Sequence, residues 1–287
     1  FILADRGRYD DALNKLDSLE GNSLRSWKPS QYWHKCRGII KLQRDLHHNN
    51  LNGAQQLLHQ LLQVQTDDLE PEMAFTIDTL HINYLTRRGN LQAAFEKVET
   101  LLSKVKDEKK DVAIRVKLLL LKASLLDTCG RPQRGFSTAM KAATVAWQSR
   151  LIPQLWEAVG ALSNILISLR EFDAAIRLLH AVIPRSLECE SPELVARLYA
   201  YLADANMGLA GTVGTKSSRR GEFMTRALSA VQIAFDQYSS IEDIGKQCEM
   251  MAKKAMIMKL TGERTLAADY AAAYVALRKQ AETLSMT

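Results

Sequence analysis

Proline is scarce in this chain, with six among 287 residues, and glycine is little commoner at fourteen. An all-β domain turns every eight to twelve residues and spends both freely, so that class is set aside. No apolar run approaches the ~20 residues that span a bilayer. The greasiest stretch, Leu118 to Leu121, is closed by Lys117 and Lys122, so neither a membrane span nor a membrane partner is expected. A signal-peptide pattern is also missing. The chain begins with Phe1 rather than Met, which reads as a fragment of a longer protein. The four cysteines, Cys36, Cys129, Cys189 and Cys248, are widely separated, with no CxxC pair and no metal-ligand spacing. That usage fits reduced thiols in the nucleus or cytoplasm and predicts no metal. Charge of one sign does not dominate either. The net +6 comes from basic residues spread along the chain. The denser clusters, Lys104 to Lys110 and Lys216 to Arg220, are expected in solvated loops, so a nucleic-acid partner is not favoured.

Hydrophobic residues make up 47% of the chain and charged ones 24%, with good helix formers dominant. A triplet of a small residue, an apolar one four later and another three after that recurs along the sequence. It reads Ala12-Leu16-Leu19, Ala54-Leu58-Leu61, Ala94-Val98-Leu101, Gly135-Ala139-Ala142, Ala175-Leu179-Val182, Ala227-Val231-Ala234 and Ala267-Ala271-Tyr274. Such positions share one face of a helix, so each triplet predicts a buried stripe. The intervals between the small residues are 42, 40, 41, 40, 52 and 40. The long one contains a Gly/Ser/Thr-rich stretch from Gly211, read as an inserted flexible loop over 211–221.

A turn precedes most triplets. Gly7, Gly89, Gly130 and Gly262 stand where one helix ends and the next returns, a place suited to the left-handed conformation. Asn49 and Arg170 occupy the same place without glycine. Helix starts are marked at Ser191-Pro192-Glu193 and, less fully, at Pro29-Ser30, Glu70-Pro71-Glu72 and Ile152-Pro153. The expected fold is all-α: a single domain over residues 1–287, a right-handed solenoid of about seven antiparallel helix pairs with a period near 40. It should have about thirteen helices and longer links between units than within them. The first pair is cut short, which should leave an apolar edge open.

Gly or Asn, two residues, then Ala-x3-apolar resembles the second half of a tetratricopeptide repeat. The first-half pattern survives only in pieces: Leu119, Ala123 and Leu126 in one unit, Met251, Ala255 and Met258 in another, and no unit has its Trp. HEAT-type pairs are the competing label. Over residues 150–280 the chain also resembles the subunit-five family of the anaphase-promoting complex. Leu169 to Pro184, Ile241-Glu242-Asp243-Ile244 and the turn Leu260 to Arg264 carry that likeness. The resemblance implies a nuclear or cytoplasmic, non-catalytic platform subunit of a multi-subunit ubiquitin ligase of the cell cycle, with other subunits of that complex as partners.

Chemistry-bearing residues do not assemble into a catalytic set. His34 and Cys36 point to different sides of a helix. His47 and His48 lack further ligands and read as a surface turn. Asp10-Asp11 and Asp67-Asp68 sit at helix starts, where the dipole favours them. Gly211 to Ser217 lacks phosphate-loop spacing. Trp27, Trp33, Trp147 and Trp156 read as packing residues. No cofactor and no small-molecule substrate are expected.

In tetratricopeptide arrays the first helix of each unit lines the concave face. That register, carried over, implies partner contacts at Thr79, Asn83 and Arg87 from one unit, then Lys117, Leu121 and Ser124 from the next. Glu157, Ala161 and Asn164 follow, then Arg197, Tyr201 and Asp204. Acidic and basic residues share the groove, which suits protein partners more than a carboxylate-only ligand. Three readings follow: a scaffold subunit, a peptide adaptor using the groove, and an RNA-binding helical repeat, whose affinity would fall steeply with salt.

Overall fold

The computed structural model describes residues 2–5, 7–21, 30–63, 71–105, 111–189, 191–214 and 217–286. Fourteen α-helices and no strand occur among them. The first half holds the short α1 (Ile2–Asp5), then α2 (Tyr9–Gly21), α3 (Ser30–His47), α4 (Leu51–Gln63), α5 (Pro71–Arg87), α6 (Leu91–Lys104) and α7 (Val112–Thr128). The second half holds α8 (Pro132–Gln148), α9 (Ile152–Ser168), α10 (Phe172–Ser186), α11 (Pro192–Thr212), α12 (Ser218–Ser240), α13 (Ile244–Thr261) and α14 (Arg264–Met286). Each helix packs on its neighbour in sequence, and α3 on α5, α7 on α9 and α9 on α11 pack as well. That is the contact pattern of stacked helix pairs, an all-helical solenoid of the tetratricopeptide kind.

One device makes the tight turns. At Gly7, Gly89, Gly130 and Gly262, φ is +75°, +76°, +72° and +93°. At each, the next residue's N–H reaches back to a carbonyl five residues earlier, as Asn90 N does to Leu85 O at 2.9 Å. This is the Schellman closure, which satisfies carbonyls at the helix end. Asn49 and Arg170 adopt the same conformation at +59° and +64°, as their place in the repeat predicts. Arg150 and Glu242, at +56° each, do so between units. The links α8–α9 and α12–α13 are therefore as short as the turns within pairs, contrary to the expectation of longer ones.

The small residues of the triplets are where helices approach. Ala54, Ala94, Ala175 and Ala227 are wholly buried, and so are their partners Val98, Leu179 and Val231. Two triplets depart from the stripe. Leu19 is 46% exposed, and on α14, which packs on α13, Ala271 is exposed with Ala267 and Tyr274 half-buried. The core runs as successive clusters. One spans Ala4 to Tyr84 and another Leu179 to Met258, with smaller ones between them and Trp156 packed against two. In the first pair Ala4 and Tyr9 are buried, while Leu19 is the apolar residue left open.

Residues 211–221 are a correction. Gly211 and Thr212 continue α11, and Ser218 to Gly221 open α12. The extra length of this interval is mostly helix: α11 has 21 residues and α12 has 23. Glycine, serine and threonine are poor helix formers, but at helix ends the cost is small and tertiary packing of the long pair outweighs it. Thr215 and Lys216 lie outside the described residues, as do Trp27, Pro29, Asp67-Asp68, Glu70 and the lysine-rich 106–110. Ser191 caps α11 as expected, accepting from Leu194 N at 3.3 Å. Trp147 is a second correction: it is 66% exposed, because its helix turns that face away from both neighbouring units.

Candidate functional site

The inward faces of α5, α7, α9 and α11 enclose a channel with a cavity of about 760 Å³ and an adjoining one of about 330 Å³. Asn83, Arg87, Lys117, Glu157, Tyr201 and Asp204 line the larger. Thr79 and Ser124 join in the smaller, together with Leu121, Ala161 and Arg197. The structure thus brings together eight of the nine residues that the repeat register singled out as contacts. Asn164 is turned to the preceding unit instead: its Nδ2 donates to Asp127 Oδ2 at 3.1 Å, beside Ser168 Oγ at the same distance. The packing of α9 on α7 draws it there, and burial pushes the Asp127 carboxyl above the usual carboxylate range.

Several channel groups are already engaged. Arg87 Nη1 donates to Leu46 O at 2.7 Å. Asp204 pairs with Lys253 at 2.6 Å, and Lys246 with Glu249 at 2.9 Å. Thr79 Oγ1 donates back to Phe75 O within its own helix. Others are not. Asn83, Lys117, Glu157, Glu193 and Arg197 make no hydrogen bond or ion pair with another described residue. Burial works against the Arg197 charge, yet Glu193, Tyr201 and Glu157 around it more than offset this, and its pKa lies above the ordinary arginine value. Desolvation likewise raises Tyr201 and Tyr238. The channel therefore presents two cationic and two anionic groups near one another, two phenols and an amide.

Lys253, Lys246, Asp243 and Tyr238 line the channel too, though the repeat register did not point to them. They reach it because the array curls until the turn between α1 and α2 meets the turn between α12 and α13. A Cβ on Gly7 would lie 2.2 Å from the Ile241 carbonyl oxygen, and one on Gly245 would lie 3.8 Å from His47 O. No local periodicity encodes such an encounter. His47 is accordingly more than a surface turn. Its Nδ1 meets Tyr9 Oη at 2.8 Å, and His48 is half-buried nearby, where burial first, then Arg44 and His47, hold its pKa below the usual histidine value.

Outside the channel, Lys254 is buried between Phe235 and Tyr270, 4.7 and 5.4 Å from the ring centres. Its Nζ donates to Gln232 Oε1, and burial lowers its pKa. No group of three or more His, Cys, Asp or Glu that could hold a metal ion is found among the described residues. No helix there is long and apolar enough to cross a membrane.

No protein-family model matches the chain, and no curated protein matches it in sequence. Solved structures do resemble it. A Rap protein complexed with Competence and Sporulation Factor superposes with a TM-score of 0.68 at 13% identity, over 98% of this chain and 75% of that one. The apo form of RapI gives 0.50 at 11%, over 97% and 74%. BtubC (BKLC) from P. vanneervenii gives 0.51 at 15%, over 85% and 91%. At these identities the likeness is one of fold.

Proposed function

We propose that the chain is a non-catalytic binding module that takes an extended peptide or protein segment into its channel. The observation that carries this is the set of side chains that line one channel without a hydrogen bond or close ion pair: Lys117 and Arg197 of one sign, Glu157 and Glu193 of the other, with Asn83 among them. Asn83, Lys117 and Glu193 are exposed and Glu157 and Arg197 half-buried, so these groups are open to a ligand, and a peptide supplies amides, carbonyls and charges of both signs to meet them. The cavity volume lies in the range of ~300–1,000 Å³ typical of ligand sites. The channel charges are balanced, which weighs against RNA as the ligand. The Rap structure solved with Competence and Sporulation Factor supports the reading as a likeness of fold.

Selection of binders from a random displayed peptide library on the immobilised chain tests this. Binders should be lost on Glu157→Ala combined with Arg197→Ala and kept on Trp147→Ala. Binders indifferent to the channel pair would refute it.

A second reading is a scaffold subunit of a stable assembly. Trp147, Met140 and Ile152 favour it, being 66%, 45% and 42% exposed around the α8–α9 turn; Met140 and Trp147 are two turns apart on one helix face. Exposed apolar groups of this size mark protein contacts. Its specific form, a nuclear or cytoplasmic platform subunit like subunit five of the anaphase-promoting complex, rests on the resemblance of residues 150–280 alone. Retention of partner subunits at high salt, lost on Trp147→Ala, is the corresponding test.

A further inference from the structure

The place where the array meets itself differs in kind from the contacts between successive units. Neighbouring core clusters are joined by half-buried residues packed against both, Leu85 near one end and Trp156 near the other, whereas the cluster from Ala4 to Tyr84 and the cluster from Leu179 to Met258 share none. What joins the two ends is a backbone approach: Gly7, at φ +75°, lies against Ile241, whose carbonyl oxygen, carbon and Cα would all be within 2.5 Å of any Cβ. Open space flanks this contact on both sides. One cavity of about 740 Å³ has Asp10, Arg44 and His48 on one wall and Ser239, Glu242 and Gln247 on the other. A second, of about 480 Å³, lies between Arg8 and Gln237 with Ser240. None of the described ion pairs crosses from one end to the other.

A narrow, backbone-on-backbone contact between two separately cored bodies, with open space on both sides, is the place where a closed array parts most readily. Parting it also opens the channel along its length, since Asp243 and Lys246 on one bank and Leu46 and His47 on the other line the larger channel cavity. Gly245 lies at this seam, with His47 O and Arg87 Nη1 3.8 and 3.9 Å from where its Cβ would be, room for a Cβ and little beyond it.

We infer that this seam is a gate: the turn at Gly7 lifts off the turn at Ile241 to admit a chain sideways into the channel, then closes over it. This rests on the channel as the binding site, and the test needs no ligand, so the two readings fail separately. A cysteine replaces Asn83 in the channel, with Cys129, Cys189 and Cys248 changed to serine; Cys36 is buried. Its labelling rate is measured with N-ethylmaleimide and with a maleimide carried in the middle of a long Gly-Ser peptide blocked at both ends by a small folded domain. Only a sideways opening admits the second reagent.

Gly7→Val cannot keep the seam closed, and Gly245→Val presses it apart from the other bank. If the open form is a minor state of roughly 0.1–10%, either variant speeds the large reagent by about tenfold or more while leaving the small one unchanged. Small-angle scattering should report an expanded chain of unchanged helicity. Equal acceleration of both reagents, or none in an expanded chain, overturns the gate. So does an unchanged radius in both variants, which would mean that the ends are not closed in solution. Loss of helicity in both also overturns it, because a gate must open without unfolding the array.

Discussion

Gly208 lies inside α11, and a Cβ built there would stand 2.3 Å from Phe172 Cε1, 2.5 Å from Cδ1 and 2.6 Å from Cζ. Phe172 opens α10, so this is one unit's aromatic residue laid on the backbone of the next. Two effects of opposite sign meet in Gly208→Ala. Helix propensity alone favours alanine by about 1 kcal/mol. The ring, however, must retreat by roughly 1 Å or more to restore normal contact, and overpacking of that kind costs about 1–3 kcal/mol. The clash should cancel or outweigh the gain, leaving a net loss of up to about 2 kcal/mol. Removing the ring first reverses the sign: in a Phe172→Ala background, where the single change is already costly, Gly208→Ala should stabilise by about 1 kcal/mol. Urea unfolding followed by circular dichroism on the four proteins gives the cycle, with transitions compared at more than one wavelength because stacked arrays need not unfold in two states. Stabilisation by Gly208→Ala with Phe172 in place, or no coupling between the sites, would refute the stacking of α10 on α11 described above.

Other outcomes follow from the same reasoning. Arg170 holds φ +64° without being glycine; Arg170→Gly relieves about 1 kcal/mol of left-handed strain, so the urea midpoint should rise, and a fall contradicts the turn. Ser191→Ala removes the cap on Leu194 N and should cost about 1 kcal/mol, while Ser191→Asp restores it. Lys117→Ala should leave stability within about 0.5 kcal/mol, since its side chain is exposed with no close partner to lose, and a large drop would mean that this residue serves the fold. His48 and His81 are held below the ordinary histidine value by burial first, with Arg44 acting on one and Lys97 on the other. The folded chain then binds fewer protons than the unfolded one just below ~6.5, so their contribution is complete above that pH and is lost as pH falls through the lowered values. Thermal melts of the parent, His48→Gln and His81→Gln at about pH 7.5 and 5.5 should show the parent losing more on acidification than either variant; equal losses would contradict the assignment.

The solenoid was legible because its signals are local and repeated. Ala54, Ala94, Ala175 and Ala227 are small where helices cross, and the turns at Gly89 and Gly130 are marked by the residue they require. Arg150 and Glu242 hid their turns, since a left-handed arginine or glutamate is set by the packing of its flanking helices and not by its own preference. The 211–221 stretch misled for the converse reason: its composition argues for a loop, and the packing of α11 on α12 overrides it. In the channel, the register of the first helices located Asn83, Lys117, Glu157 and Tyr201, because i and i+4 share a face in any helix. It placed Asn164 wrongly, since the partner that turns it, Asp127, lies 37 residues away. Tyr238, Asp243 and Lys253 were invisible to it altogether. They depend on how far the whole array curls, a sum of many small angles that no single repeat encodes.

The most direct measurement places a photo-crosslinking amino acid at Asn83 in one protein and at Trp147 in another, and maps by mass spectrometry what each captures in the native cell extract. The channel reading predicts that the Asn83 probe joins to one recurrent stretch of a protein or peptide chain, and that Glu157→Ala with Arg197→Ala abolishes this. Capture through Trp147 alone, with the channel probe reacting only with water or with its own chain, would contradict it.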